Sequence, residues 1–176
     1  MVDGAGLWFR REMLDDIAEL AATPPAFMEV APENWIPLGG KLGRKFKELS
    51  EQFSFLCHGL SLAIGSPAPL DIDFVKAVKQ FNQQHDIALY SEHLSYCPGS
   101  GHLYDLMPIP FTEEAVSYVA ERIRTVQDIL EQKIAIENVS YYAAPGQELK
   151  EIDFLNAVLE QADCLLLLDV NNIYVN

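Results

Sequence analysis

The chain has 176 residues and a formal net charge of −14, with 49% hydrophobic and 22% charged residues. That length builds one domain, 1–176, with a real core, and the balance excludes a disordered chain. An acidic surface repels phosphate backbones, so no nucleic-acid partner is expected. No apolar run approaches the ~18 residues of a membrane span. The start, "MVDGAGLWFRRE", lacks a basic stretch followed by an apolar block, so the cytoplasm is the expected location and no membrane partner is expected.

Helical and extended patterns alternate along the chain. "REMLDDIAELAA" reads as a helix ahead of a first β-rich run, "AFMEVAPENW" from Ala26. "GGKLGRKFKELSEQ" leads to a second, "FSFLCHGLSL" from Phe53. "DIDFVKAVKQFNQQHD" opens on Asp71 as an N-cap, buries Phe74, Val75, Val78 and Phe81, and leads to "IALYSEHLSY" from Ile87. A long loop, "CPGSGHLYDLMPIP", precedes "FTEEAVSYVAERIRTVQDILEQ", with Thr112 as its cap. "KIAIENVS" from Lys133 is the fourth run, and "LKEIDFLNAVLEQAD" leads into the fifth, "CLLLLDVNN" from Cys164. Strands alternating with helices imply a parallel sheet. Nearly continuous apolar strands imply cover on both faces.

Each run ends in polar or titratable groups: Glu33-Asn34, His58, Glu92-His93, Glu137-Asn138, and Asp169 with Asn171 and Asn172. In parallel α/β folds the carboxyl ends of the strands carry the site. Imidazole and carboxylate suit iron, manganese or zinc, with no cysteine ligand needed. Side chains alternate along a strand. Ser91 therefore shares a face with His93, and Ala135 with Glu137, while Glu92 points away from His93 and His58 lies opposite Cys57. Asp169 and Asn172, three apart at a strand end, could reach one ion. Asp169 could equally cap a helix, Asn138 could cap the next helix, and Asn171-Asn172 could be turn residues. Cys57 and Cys164 read as buried apolar residues and Cys97 as a loop thiol. His85 reads as a charge partner at a helix end, and His102 as exposed.

The motifs "GAGLWFR", "HGLSLAIGS", "SEHLSY", "IENVSYY" and "LLLDVNNIYVN" together resemble the multinuclear non-haem iron-dependent oxidative enzymes. These include the iron enzyme of methanobactin biosynthesis. The resemblance spans essentially the whole chain. It implies a (β/α)8 TIM barrel of the xylose-isomerase type, here about its first five βα units. It also implies two or three iron ions, with zinc or manganese as alternatives. The implied activity is oxidation, by molecular oxygen, of cysteines in a ribosomally made precursor peptide, presented by a small partner protein. Carried over by position, His58, His93, Glu137, Asp169 and Asn172 are the implied metal ligands, with Glu137 bridging. Glu92, Asn138 and Asn171 are supporting residues. The family's remaining ligands have no counterpart up to Asn176. The expected consequence is a fragment or a natural truncation that is marginally stable, prone to associate and unable to hold a full cluster. Rival readings are a metal-dependent sugar isomerase, an endonuclease-like barrel and a non-catalytic binding module.

Overall fold

The computed structural model describes residues 3–15, 21–96, 106–144 and 146–176. Six strands form one parallel sheet whose spatial order follows the chain: β1 (Gly6–Trp8), β2 (Phe27–Val30), β3 (Phe55–Gly59), β4 (Tyr90–His93), β5 (Ala135–Glu137) and β6 (Leu165–Leu167). Helices α1 (Pro32–Trp35), α2 (Gly40–Ser50), α3 (Ile72–His85), α4 (Glu113–Leu130), α5 (Glu151–Ala162) and α6 (Val170–Val175) complete the fold. The count corrects the five strands expected from sequence. The additional one is β1, three residues of "GAGLWFR" paired with Phe27–Glu29. A three-residue strand of Gly, Leu and Trp shows no apolar run to read. Of the helix expected over 11–22, Arg11–Asp15 form a 3-10 turn and residues 21–22 are helical, while residues 16–20 lie outside the described ones. So do Cys97 and His102.

Chemistry at the helix ends explains the boundaries. Asp71 accepts from Phe74 N at 2.9 Å and Thr112 from Ala115 N at 3.1 Å, which satisfies otherwise orphaned amides. Asp86, Glu131 and Asp163 close α3, α4 and α5 in the left-handed region, with φ of 51°, 59° and 50°. On α4 the buried residues Val116, Val119, Ala120, Ile123, Val126 and Leu130 form one stripe.

Alternation and register divide the sheet into two faces. Met28 pairs with Phe55, Val30 with Cys57, and Cys57 with Tyr90; all are buried beneath the helices. The opposite face carries Trp8, Glu29 and Leu56 in register, then His58 beside Ser91, and His93 beside Glu137 and Leu167. This is the inner wall of a barrel. Around the outer layer α3 and α4 pack directly, as do α4 and α5. Cys57 is buried and Cys164 half-buried. His85 is not the charged helix-end partner expected. It is buried, and burial together with the Lys47 charge lowers its pKa to about 4.

Candidate metal centre

His58 ends its apolar strand pointing inward because Cys57 has taken the helix-covered face. His93 and Glu137 are register partners on β4 and β5. Glu137 Oε2 stands 3.0 Å from His58 Nε2 and 3.5 Å from His93 Nε2. The two imidazole nitrogens are 3.2 Å apart. Donors about 2.1 Å from one cation at tetrahedral or octahedral angles lie about 3.0–3.4 Å from each other. The three side chains therefore fit a single divalent cation, and they are the only such group among the described residues. His58 and Glu137 are each 7% exposed.

Ser91 sets the tautomer of His58. Its hydroxyl donates to Cys57 O at 3.3 Å, so its oxygen accepts from His58 Nδ1 at 2.8 Å. Nε2 then presents a lone pair to Glu137 and His93, as a metal ligand requires. The charges are coupled. Burial pulls the His58 pKa down, but the hydrogen bond and charge of Glu137 outweigh it, aided by Glu29 and Glu92, and the net shift is upward. Burial and the neighbouring His58 charge push His93 down.

An open cavity of about 290 Å³ holds the three donors together with Glu29, Leu60, Leu167 and Asp169. The Trp8 ring lies edge-on to His58, with centroids 6.5 Å apart. Sequence reasoning missed Glu29. It interrupts the apolar run "FMEV" and faces the cavity because it is in register with Trp8 and Leu56. The signal for it was one acid on an otherwise apolar strand. Burial raises its pKa, with His58 and Glu137 acting in opposite senses.

Asp169 and Asn172 lie beside the three donors rather than among them. Asp169 Oδ1 caps α6 by accepting from Asn172 N at 2.8 Å. Asn172 Nδ2 donates to Asn138 O at 2.9 Å and lies 3.5 Å from Glu137 Oε1. Asn138 does not cap a helix. It exchanges two bonds with the Asp169 backbone, 2.9 and 2.8 Å long, which fixes the end of β6 against β5. Asn171 is exposed.

Glu92 occupies the outer face, away from His93, at 1% exposure. Its Oε1 accepts from Tyr90 Oη at 2.7 Å and from Leu62 N at 3.3 Å. Burial and the nearby Glu33 raise its pKa to about 7. Gly59 makes room for this carboxylate, since a Cβ there would sit 2.1 Å from Glu92 Oε1. Glu33, which ends the first sequence run, likewise holds the loop after β3. Its Oε1 accepts from Leu60 N, Ser61 N and Ser61 Oγ at 2.7, 3.1 and 2.9 Å.

Comparison with known proteins agrees with this architecture. A D-psicose 3-epimerase from Clostridium cellulolyticum H10, solved with D-tagatose, superposes with a TM-score of 0.66 at 15% identity, over 99% of this chain and 66% of that one. A xylose isomerase-like TIM barrel protein from Mycobacterium smegmatis, solved with magnesium, gives 0.52 at 11% identity, over 92% and 56%. At such identities the likeness establishes the fold, a xylose isomerase-like TIM barrel architecture. Among curated relatives, a UPF0276 protein of Shewanella sediminis is 64% identical over 97% of this chain, and one of Pseudomonas aeruginosa is 58% identical over 99%. The chain spans 62% of the length of each of these two relatives. The profile described as "RiPP precursor modification enzyme MbnB/TglH/ChrH" matches residues 4–176, so the chain belongs to that family of peptide-modifying enzymes.

Proposed function

We propose that this chain carries the metal-binding part of an iron-dependent enzyme that oxidatively modifies cysteines of a ribosomally made precursor peptide. The observation that carries the reading is the convergence of His58, His93 and Glu137 from three successive strands. Family membership supports the peptide substrate. Iron, bound there, supplies redox capacity and an open position for a thiolate. His58 and His93 offer neutral imidazole nitrogens, and Ser91 holds the first of them in the required tautomer. Glu137 offers Oε2 to the same ion and keeps Oε1 beside Asn172. Asp169, in the same cavity, would help to hold a further ion. Leu60 lines the cavity, and the Trp8 ring stands edge-on to His58. Molecular oxygen as oxidant, a small partner protein and a cytoplasmic setting complete the proposal.

The test, on a protein extended to the length of its relatives, is an anaerobic titration with Fe(II), followed by oxygen exposure with a cysteine-containing precursor peptide and its partner protein. Stoichiometric binding lost in His93→Ala and kept in Glu92→Ala, with a peptide mass change on adding oxygen, is the expected outcome. Loss of metal in Glu92→Ala with retention in His93→Ala would reverse the assignment. No mass change would reject the oxidative reading.

A further inference from the structure

Four of the twelve basic residues of this acidic chain, Lys41, Arg44, Lys45 and Lys47, lie on the eleven-residue helix α2. Beside that helix runs a groove of about 350 Å³. One wall is a stripe of α2, Gly40, Arg44 and Lys47, at the i, i+4, i+7 spacing that aligns on one helix face. The other is Phe81, Gln84 and His85 of α3, and the floor includes Trp35 and Phe46, whose rings stack 4.4 Å apart. The helices meet through the Phe46–Phe81 stack and a 2.7 Å bond from Lys47 Nζ to Gln84 O. The groove lies between the helices that precede and follow β3.

We propose that this groove docks an extended acidic segment of another polypeptide. Its chemistry is graded for such a guest. At one end, α2 starts on Gly39 and Gly40 without a capping side chain, so the positive end of the helix dipole is open. A Cβ added at either glycine would meet nothing within 4 Å. About 10 Å along the helix stands Lys47, already paired with Glu51 at 3.6 Å. Between them Arg44 makes no ion pair or hydrogen bond among the described residues. On the α3 wall, Ser50 Oγ donates to Lys47 O and so accepts from His85 Nδ1 at 2.9 Å. The His85 Nε2 lone pair is left without a partner among the described residues, an acceptor for a guest amide. Carboxylates three residues apart on an extended chain of polyproline II form share one face and lie about 9 Å apart, close to the span from the helix start to Lys47, with room for an apolar side chain between them. A net charge of −14 disfavours a second copy of this chain as the occupant.

The probe is a fluorescein-labelled hexapeptide, Gly-Glu-Leu-Leu-Glu-Gly, followed by anisotropy at low ionic strength. Saturable binding, weakened about tenfold or more by Arg44→Glu, weakened by added salt and unchanged in His93→Ala, is the expected result. The same peptide with lysine for glutamate should not bind. Absence of saturable binding into the millimolar range, equal binding of the lysine peptide, or indifference to Arg44→Glu would each overturn the proposal. Loss of binding in His93→Ala would move the contact to the metal cavity, which also overturns it. Because that readout needs no metal, it fails or succeeds separately from the proposed chemistry.

Discussion

Ser91 decides which nitrogen of His58 faces the cavity, and Glu137 decides how tightly that nitrogen holds a proton in the absence of metal. Because the His58 pKa is raised, a cation entering the site competes with a proton. Titration with zinc or cobalt at pH 8, 7 and 6 should show affinity falling with pH, by about tenfold per unit once below the raised pKa. A flat profile would mean that His58 is not displaced. Glu92 gives the opposite kind of pH dependence. Its carboxyl holds a proton up to about pH 7 in the folded chain, whereas the unfolded carboxyl loses it near the ordinary value of 4.5. The folded state therefore binds more protons between those values, and stability falls as pH rises through that window. Glu92→Gln keeps an oxygen for Tyr90 and Leu62 and removes the titration. The melting temperature of the metal-free variant should exceed that of the parent by a margin that grows from pH 4.5 to 7 and then levels. At the plateau the gain is on the order of a few kcal/mol; an equal margin at every pH would refute the buried-charge account.

Arg122 of α4 holds the segment that follows β3. Its guanidinium donates to Ile64 O at 2.6 Å, Ala68 O at 3.0 Å and Ala63 O at 3.5 Å, while Tyr118 Oη donates to Ser66 O at 2.6 Å. Glu33 and Glu92 hold the loop at its start, so the segment after β3 is tied at both ends. Arg122→Ala should cost about 2 kcal/mol and speed proteolysis within residues 60–70, measured by denaturant midpoint and by fragment mapping. Arg122→Lys should recover only part, because one ammonium cannot replace the planar fork. None of this clamp was legible in the sequence, since its acceptors are backbone carbonyls more than fifty residues away. The inward set was legible for a specific reason. His58, His93 and Glu137 each end a strand, and strict alternation assigns each a face. Glu29 escaped because its face follows from pairing with Trp8, on a strand too short to recognise. The role of Asn138 escaped because its partner, the Asp169 backbone, lies beyond the next strand, at the start of α6.

At the scale of the whole molecule, the sheet has two edges unpaired among the described residues, β1 and β6. At the β6 end, Leu165, Leu166, Leu168, Val170, Ile173, Tyr174 and Val175 are exposed, and at the other Leu7 and Trp8 are partly so. A contiguous apolar surface of this kind is normally covered. The 176-residue chain on its own should therefore bind an apolar dye such as ANS and show concentration-dependent sedimentation. A protein extended to the length of its relatives should do neither. A monodisperse, dye-silent 176-residue monomer would show that these edges are tolerated in water.

The strand order that places the site also orders its assembly in time. Each strand pairs with the one made just before it, so during vectorial synthesis every new βα unit adds to an existing edge with no earlier pairing to undo. The three donors come from β3, β4 and β5, and all three are in place once residue 137 has joined the sheet. On the proposed reading, a nascent chain would gain its cation ligands before β6 has left the ribosome, and a bound ion would stabilise the growing sheet at its most exposed stage.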